Sequence, residues 1–174
     1  LTASKYNERV SECMQAGRTL QRITGKAGSS LRNFAVEDLE QARETLTDVQ
    51  FRRARHVLTE NARTLEAAEA MRAGDAAGLG ALMTASHESL RDYYQVSCDE
   101  LDLQCSLAAA EPGCYGSRLT GAGFGGCSLH LVEAARAADF AATVSAKYKE
   151  GSGLDAMTLM SSPADGAGFE WLKH

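Results

Sequence analysis

Through the first two thirds of the chain, apolar residues recur every three or four positions, the spacing that gathers them on one face of an α-helix. Tyr6, Val10, Cys13, Met14, Gly17 and Leu20 make the first such stripe, with Ser4 placed to cap its start and Gly25 to end it. Residues 26–35 (KAGSSLRNFA) read as a loop, and a short helix is predicted around 36–46. A long helix from about Phe51 turns Phe51, Ala54, Leu58, Leu65 and Ala68 inward, leaving Arg52, Arg53, Arg55, Arg63 and Glu66 as a solvated charged face. Gly74-Asp75 is a stop followed by a new cap, after which Leu79, Leu82, Met83, Ser86 and Leu90 form the next stripe. The stretch 97-SCDE-100 has the form of a capping box, with Ser97 accepting from the Glu100 N–H and Glu100 reaching back. That helix stops at Pro112-Gly113.

The period changes at Cys114. CYGSRLT reads as a strand, a glycine-rich loop follows, and the alternation in 127-CSLHLV-132 predicts a second strand. Residues 134–149 return to helix with Phe140, Val144 and Tyr148 inward, and Met157–Met160 and Gly168–Trp171 read as two short strands. A helical part over about 1–112 followed by β–loop–β–α–β–β over about 113–174 makes the fold class α+β. Long helices joined by short turns imply antiparallel packing.

Composition narrows the function classes. With 44% hydrophobic and 24% charged residues in 174, the chain fits an ordinary globular domain. The net charge of -5, with acids and bases interspersed, points away from nucleic acid and from a membrane surface. Cys13, Cys98, Cys105, Cys114 and Cys127 are odd in number and lack zinc-knuckle spacing, so they read as reduced core thiols of a cytoplasmic protein. His87-Glu88 opens like a zinc-protease helix, but Arg91 stands where the second histidine would fall, and no metal site is expected.

The candidate chemistry lies in 118-RLTGAGFGGCSLHLV-132, where Gly121, Gly123 and Gly126 have G-x-G-x-x-G spacing. A dinucleotide site needs a helix opening on those glycines, and here a strand follows, so no helix dipole is supplied. No Gly-Lys-Ser/Thr follows for a Walker loop. Composition leaves two readings open: a hairpin whose glycines only permit positive φ, or a backbone that must approach a ligand closely.

The stretch GSRLTGAGFGGCSLHLV resembles the third motif of the GHMP small-molecule kinases in its galactokinase form. SKYNERVSEC (4–13), RRARHVLTENARTLEAAEAMRAGD (52–75), LMTASHESLRDYYQVSCDELD (82–102) and the terminal SPADGAG are similar to galactokinase segments in the same order. The resemblance implies a GHMP-kinase C-terminal domain, a helical bundle packed on a small, mostly antiparallel sheet. Its activity would be transfer of the ATP γ-phosphoryl to the anomeric hydroxyl of galactose. ATP and Mg2+ would be held mainly by an N-terminal lobe absent from this sequence, which also owns the catalytic Asp and Arg; no catalytic residue is expected in these 174 residues.

By the same resemblance, Tyr6 contacts the sugar, and Thr120, Gly121, Ala122, Gly123, Phe124, Gly125 and Gly126 line the active site, with Phe124 as anchor. Ala122 stands where glycine is frequent, which questions positive φ there. His87 and Arg91 are structural, with Arg91 and Asp92 pairing or capping. Val10, Gln95 and Asp99 depart from the family's usual residues without touching the loop. A sugar-sensing or binding module, or a kinase for a related sugar such as N-acetylgalactosamine, remains the alternative. The sequence also leads us to expect an apolar face that meets the missing lobe.

Overall fold

Thr47 starts the longest helix. Its hydroxyl accepts the Gln50 N–H at 3.2 Å while the Gln50 side chain accepts the Thr47 N–H at 3.3 Å, a reciprocal cap that sets the helix three residues earlier than its apolar stripe does. In the computed structural model, which describes residues 2–164, this helix is α3 (Asp48–Ala73). It packs on α1 (Thr2–Thr24) and on the short α2 (Val36–Gln41). Ala16, Leu20, Leu31, Phe34, Leu39 and Phe51 belong to the cluster these elements enclose. Leu20 and Leu39 have no exposed surface; burying each stabilises the fold by about 2 kcal/mol.

Several expectations fail here for one reason: a periodic stripe does not say which neighbour will be present. α1 already runs from Thr2, so Ser4 lies inside it. Tyr6, Val10 and Met14 are 59%, 40% and 52% exposed, and the buried ridge of α1 is instead Arg9, Ala16, Gly17 and Leu20. Leu65 is 72% exposed because the C-terminal half of α3 runs beyond its partners. Arg53, expected in solvent, is 2% exposed. Its guanidinium donates to Glu12 Oε2 at 2.6 Å, to the Tyr93 carbonyl at 2.5 Å and to Gln95 Oε1 at 2.9 Å. A buried charge is tolerated when paired and fully hydrogen-bonded. Burial alone would raise the Glu12 pKa, but Arg53 and Arg9 draw it below the ordinary carboxylate value.

Gly74 ends α3 in the left-handed conformation, and Asp75 accepts the Gly78 N–H at 2.8 Å to start α4 (Ala76–Ser89). α4 passes into a π-helical turn, Leu90–Tyr94, closed by Gln95 at φ 57°. α5 (Asp99–Ala109) leads into the antiparallel hairpin β1 (Cys114–Thr120) and β2 (Cys127–Val132), and α6 (Ala137–Ser152) follows. The register pairs Thr120 with Cys127 and Ser117 with His130, with a bulge between Cys114 and Gly116. Helix α4 lies on β1 at backbone distance: a Cβ on Gly80 would sit 2.0 Å from the Tyr115 carbonyl oxygen.

The expected capping box at Ser97 is absent. Cys98 occupies the N-cap position of α5, and the Ser97 hydroxyl instead donates to Asp102 Oδ1 at 2.5 Å. Residues 157–160 are extended without forming a strand. A cavity of about 530 Å3 lies between this segment and β2, so no ladder closes, and Leu159 is 88% exposed. The strand expected at 168–171 and most of the terminal motif lie outside the described residues. The five cysteines are unpaired, but Cys127 is exposed and so is not a core thiol. The architecture is α+β, helix-rich with a small two-stranded antiparallel sheet.

Candidate functional site

The register leaves six residues, 121–126, to join β1 to β2. Gly121, Gly123, Gly125 and Gly126 adopt φ of 81°, 77°, 112° and 94°, and Phe124 joins them at 59°. Ala122 does not, so alanine is compatible with its position. Left-handed φ costs a phenylalanine about 1 kcal/mol, and two contacts offset that. The Phe124 N–H donates to the Val96 carbonyl at 2.7 Å, and its ring packs on the cluster of Leu90, Val96, Leu101 and Leu119. Phe124 is therefore the loop's anchor, as expected.

Gly123 is required by space as well as by φ. A Cβ there would lie 2.1 Å from the Val96 carbonyl oxygen, whereas Cβ atoms on Gly121, Gly125 or Gly126 would meet nothing within 4 Å. The loop thus has one face seated on the Val96 backbone and one face open. Among the described residues, the N–H groups of Gly121, Gly125 and Gly126 have no protein partner. These N–H groups are free to donate to a ligand that approaches the open face. Gly125 and Gly126 also border a recess of about 330 Å3, lined in addition by Cys98, Glu100, Leu101 and Phe124.

Tyr6 is exposed rather than turned into the helical core. It lies beside Lys5, whose ammonium stands 5.1 Å from the centroid of the Phe124 ring, so the structure brings the start of α1 to the glycine loop. Arg91 pairs with Asp92 through two hydrogen bonds of 2.7 and 3.0 Å, as expected, on the exposed side of the π-helical turn.

His87, expected to be structural, supports the loop from behind through partners that the sequence did not show. His87 is 5% exposed, and its Nδ1 accepts the Leu119 N–H at 3.2 Å. Its Nε2 lies 3.2 Å from Asp102 Oδ1, close enough for attraction but without hydrogen-bond geometry. Desolvation lowers the His87 pKa, with Asp102 opposing, so the ring stays neutral and can accept. No local signal marked this role, because His87 and Ser97 both sit among other polar residues, in 86-SHES-89 and 97-SCDE-100. No group of three or more metal-ligating side chains exists among the described residues. The loop's open N–H groups suit phosphate oxygens, but the loop contains no carboxylate for Mg2+.

Residues 67–150 match the family described as GHMP kinases C terminal. Human galactokinase is 46% identical over 167 residues, covering 96% of this chain and 40% of that protein. The galactokinase of Chloroflexus aggregans is 43% identical over 166 residues, 95% of this chain and 42% of that protein. Over residues 67–150 the chain carries the GHMP-kinase C-terminal domain.

A solved galactokinase has the same fold. The crystal structure of Lactococcus lactis galactokinase complexed with galactose superimposes with a TM-score of 0.81 at 37% identity, over 87% of this chain and 39% of that one. The chain spans about two fifths of the length of the relatives it matches. Among the described residues no helix is long and apolar enough to cross a membrane.

Proposed function

We propose that this chain supplies the C-terminal half of a cytoplasmic sugar kinase that transfers the γ-phosphoryl of ATP to the anomeric hydroxyl of galactose. The carrying observation is the glycine loop at the hairpin tip, with its unpaired N–H groups on an open face and a rigid seat beneath. Residues 1–174 act as one domain, a helical part over about 1–112 and the hairpin part beyond it. The N-terminal lobe of the same protein provides the catalytic acid–base groups and most contacts to ATP and Mg2+.

MgATP supplies the phosphoryl group, and such transfer is mostly positioning and charge stabilisation. The loop from Thr120 to Gly126 contributes fixed N–H dipoles where phosphate charge is spread, and it excludes water from the cleft. Phe124 and Gly123 hold it in place. Tyr6 packs against the sugar and donates a hydrogen bond from its phenol, with the exposed Val10 and Met14 continuing that face of α1 towards the missing lobe.

The test is ADP release by the full gene product with galactose, N-acetylgalactosamine and no sugar. Galactose-dependent release is expected. Sugar binding without ADP release would make the protein a sensor, and preference for N-acetylgalactosamine would reassign the sugar.

A further inference from the structure

The glycine loop is held from one stretch of backbone, and the grip runs through a residue that is far from any substrate. Leu119 is the last buried residue before the loop, at 1% exposure. Its N–H is directed at α4 and not across the ladder to β2. Without an acceptor there it would be a buried, unsatisfied donor. His87 supplies that acceptor at Nδ1, which requires the ring proton to be on Nε2. Nε2 then lies 3.2 Å from Asp102 Oδ1, near enough for the carboxylate to attract that proton without hydrogen-bond geometry, and Asp102 is itself fixed by the Ser97 hydroxyl at 2.5 Å. Ser97 follows Val96, whose carbonyl holds the Phe124 N–H at 2.7 Å. The dipeptide Val96-Ser97 thereby controls the loop at its entrance, through Asp102 and His87, and at its middle, directly. The exit at Gly125-Gly126 is left free.

We propose that His87 is a positioning residue: oriented by Asp102 and Ser97, it tethers the Leu119 backbone and so aims Thr120–Gly126 at the reacting phosphates. The tether stands on geometry alone, while its effect on turnover rests on the kinase reading above. His87 touches no substrate and acts only through the loop. The geometry also specifies which atom matters. An asparagine can present its carbonyl oxygen near the place of Nδ1, whereas a leucine fills the volume and offers no acceptor.

The experiment compares His87→Asn with His87→Leu in the full gene product. Amide exchange of the 117–126 segment and steady-state kinetics are read in parallel, and helical content is checked by circular dichroism. Leaving the Leu119 N–H unsatisfied should speed exchange by about tenfold in His87→Leu, and kcat should fall by a similar factor with the KM for galactose unchanged. His87→Asn should recover most of both. Should His87→Leu fail to fold, Ser97→Ala replaces it, with a smaller rise in exchange expected over the same segment. Equal impairment in Asn and Leu variants would reduce His87 to a packing residue and overturn the proposal. So would unchanged exchange in His87→Leu or Ser97→Ala. Loop exchange is read whether or not galactose is phosphorylated, so an inactive wild type would refute the kinase reading while the tether is still decided.

Discussion

The helical cluster around Leu20 and the hairpin tip around Gly123 are built on opposite terms. In the first, six or more ordinary apolar side chains are enclosed between α1, α2 and α3, and volume does the work. In the second, the side chains are nearly absent. Position is fixed by positive φ at Gly121, Gly123, Phe124, Gly125 and Gly126 and by two hydrogen bonds from backbone N–H groups, one to the Val96 carbonyl and one to the His87 ring. The first region can lose a methyl group and remain folded; the second can stay folded and lose its aim. Stability and positioning are therefore separable in this domain.

The largest effects should come from substitutions that break one region and spare the other. Leu20→Ala should lower unfolding stability by about 3 kcal/mol in a denaturant titration while exchange at residues 120–126 is retained. Gly123→Val drives a Cβ against the Val96 carbonyl and forces left-handed φ on a β-branched residue. Turnover should drop by about 100-fold with the helical signal preserved, since displacement of a loop by about 1 Å costs that much. Wild-type turnover in this variant would remove the loop from the active site.

Acid should affect both regions together. Burial pushes His56 and His130 down to about 4 from an ordinary 6.5. His56 stands among Glu60, Arg63, Arg118 and Arg53, and His130 near His87. A depressed histidine is neutral in the fold and protonates first in the unfolded chain, so its contribution is complete above about pH 6.5 and is lost as pH falls towards 4. Unfolding stability should drop by about 2 kcal/mol or more between pH 7 and 4.5. The smallest effect sharpens the contrast from the outside. Leu65→Ala, on the projecting end of α3, should change stability by less than about 0.5 kcal/mol.

What could be read in advance divides along the same line. The helices, their stops at Gly25 and Gly74 and the strand at Cys114–Thr120 follow from local period and turn chemistry, while the Phe124 anchor came from the family resemblance. Local pattern did not show which face of α1 is buried, because a paired Arg9 displaced Tyr6, Val10 and Met14 from the core. Nor did it show Arg53 inside, since its partners Glu12, Tyr93 and Gln95 are about 40 residues away in sequence. The strand expected at 157–160 failed on the same ground, because a strand exists only beside a partner. At the site, the loop itself was legible from its glycines, while His87 and Asp102 behind it could be joined to it only by the fold.

The most direct measurement is amide exchange across residues 120–126 of the full gene product, with and without galactose and a non-hydrolysable ATP analogue. The account predicts strong protection of Gly121, Gly125 and Gly126 on ligand binding, with no change near Leu65. Saturating ligands that leave the loop's exchange unaltered would contradict it.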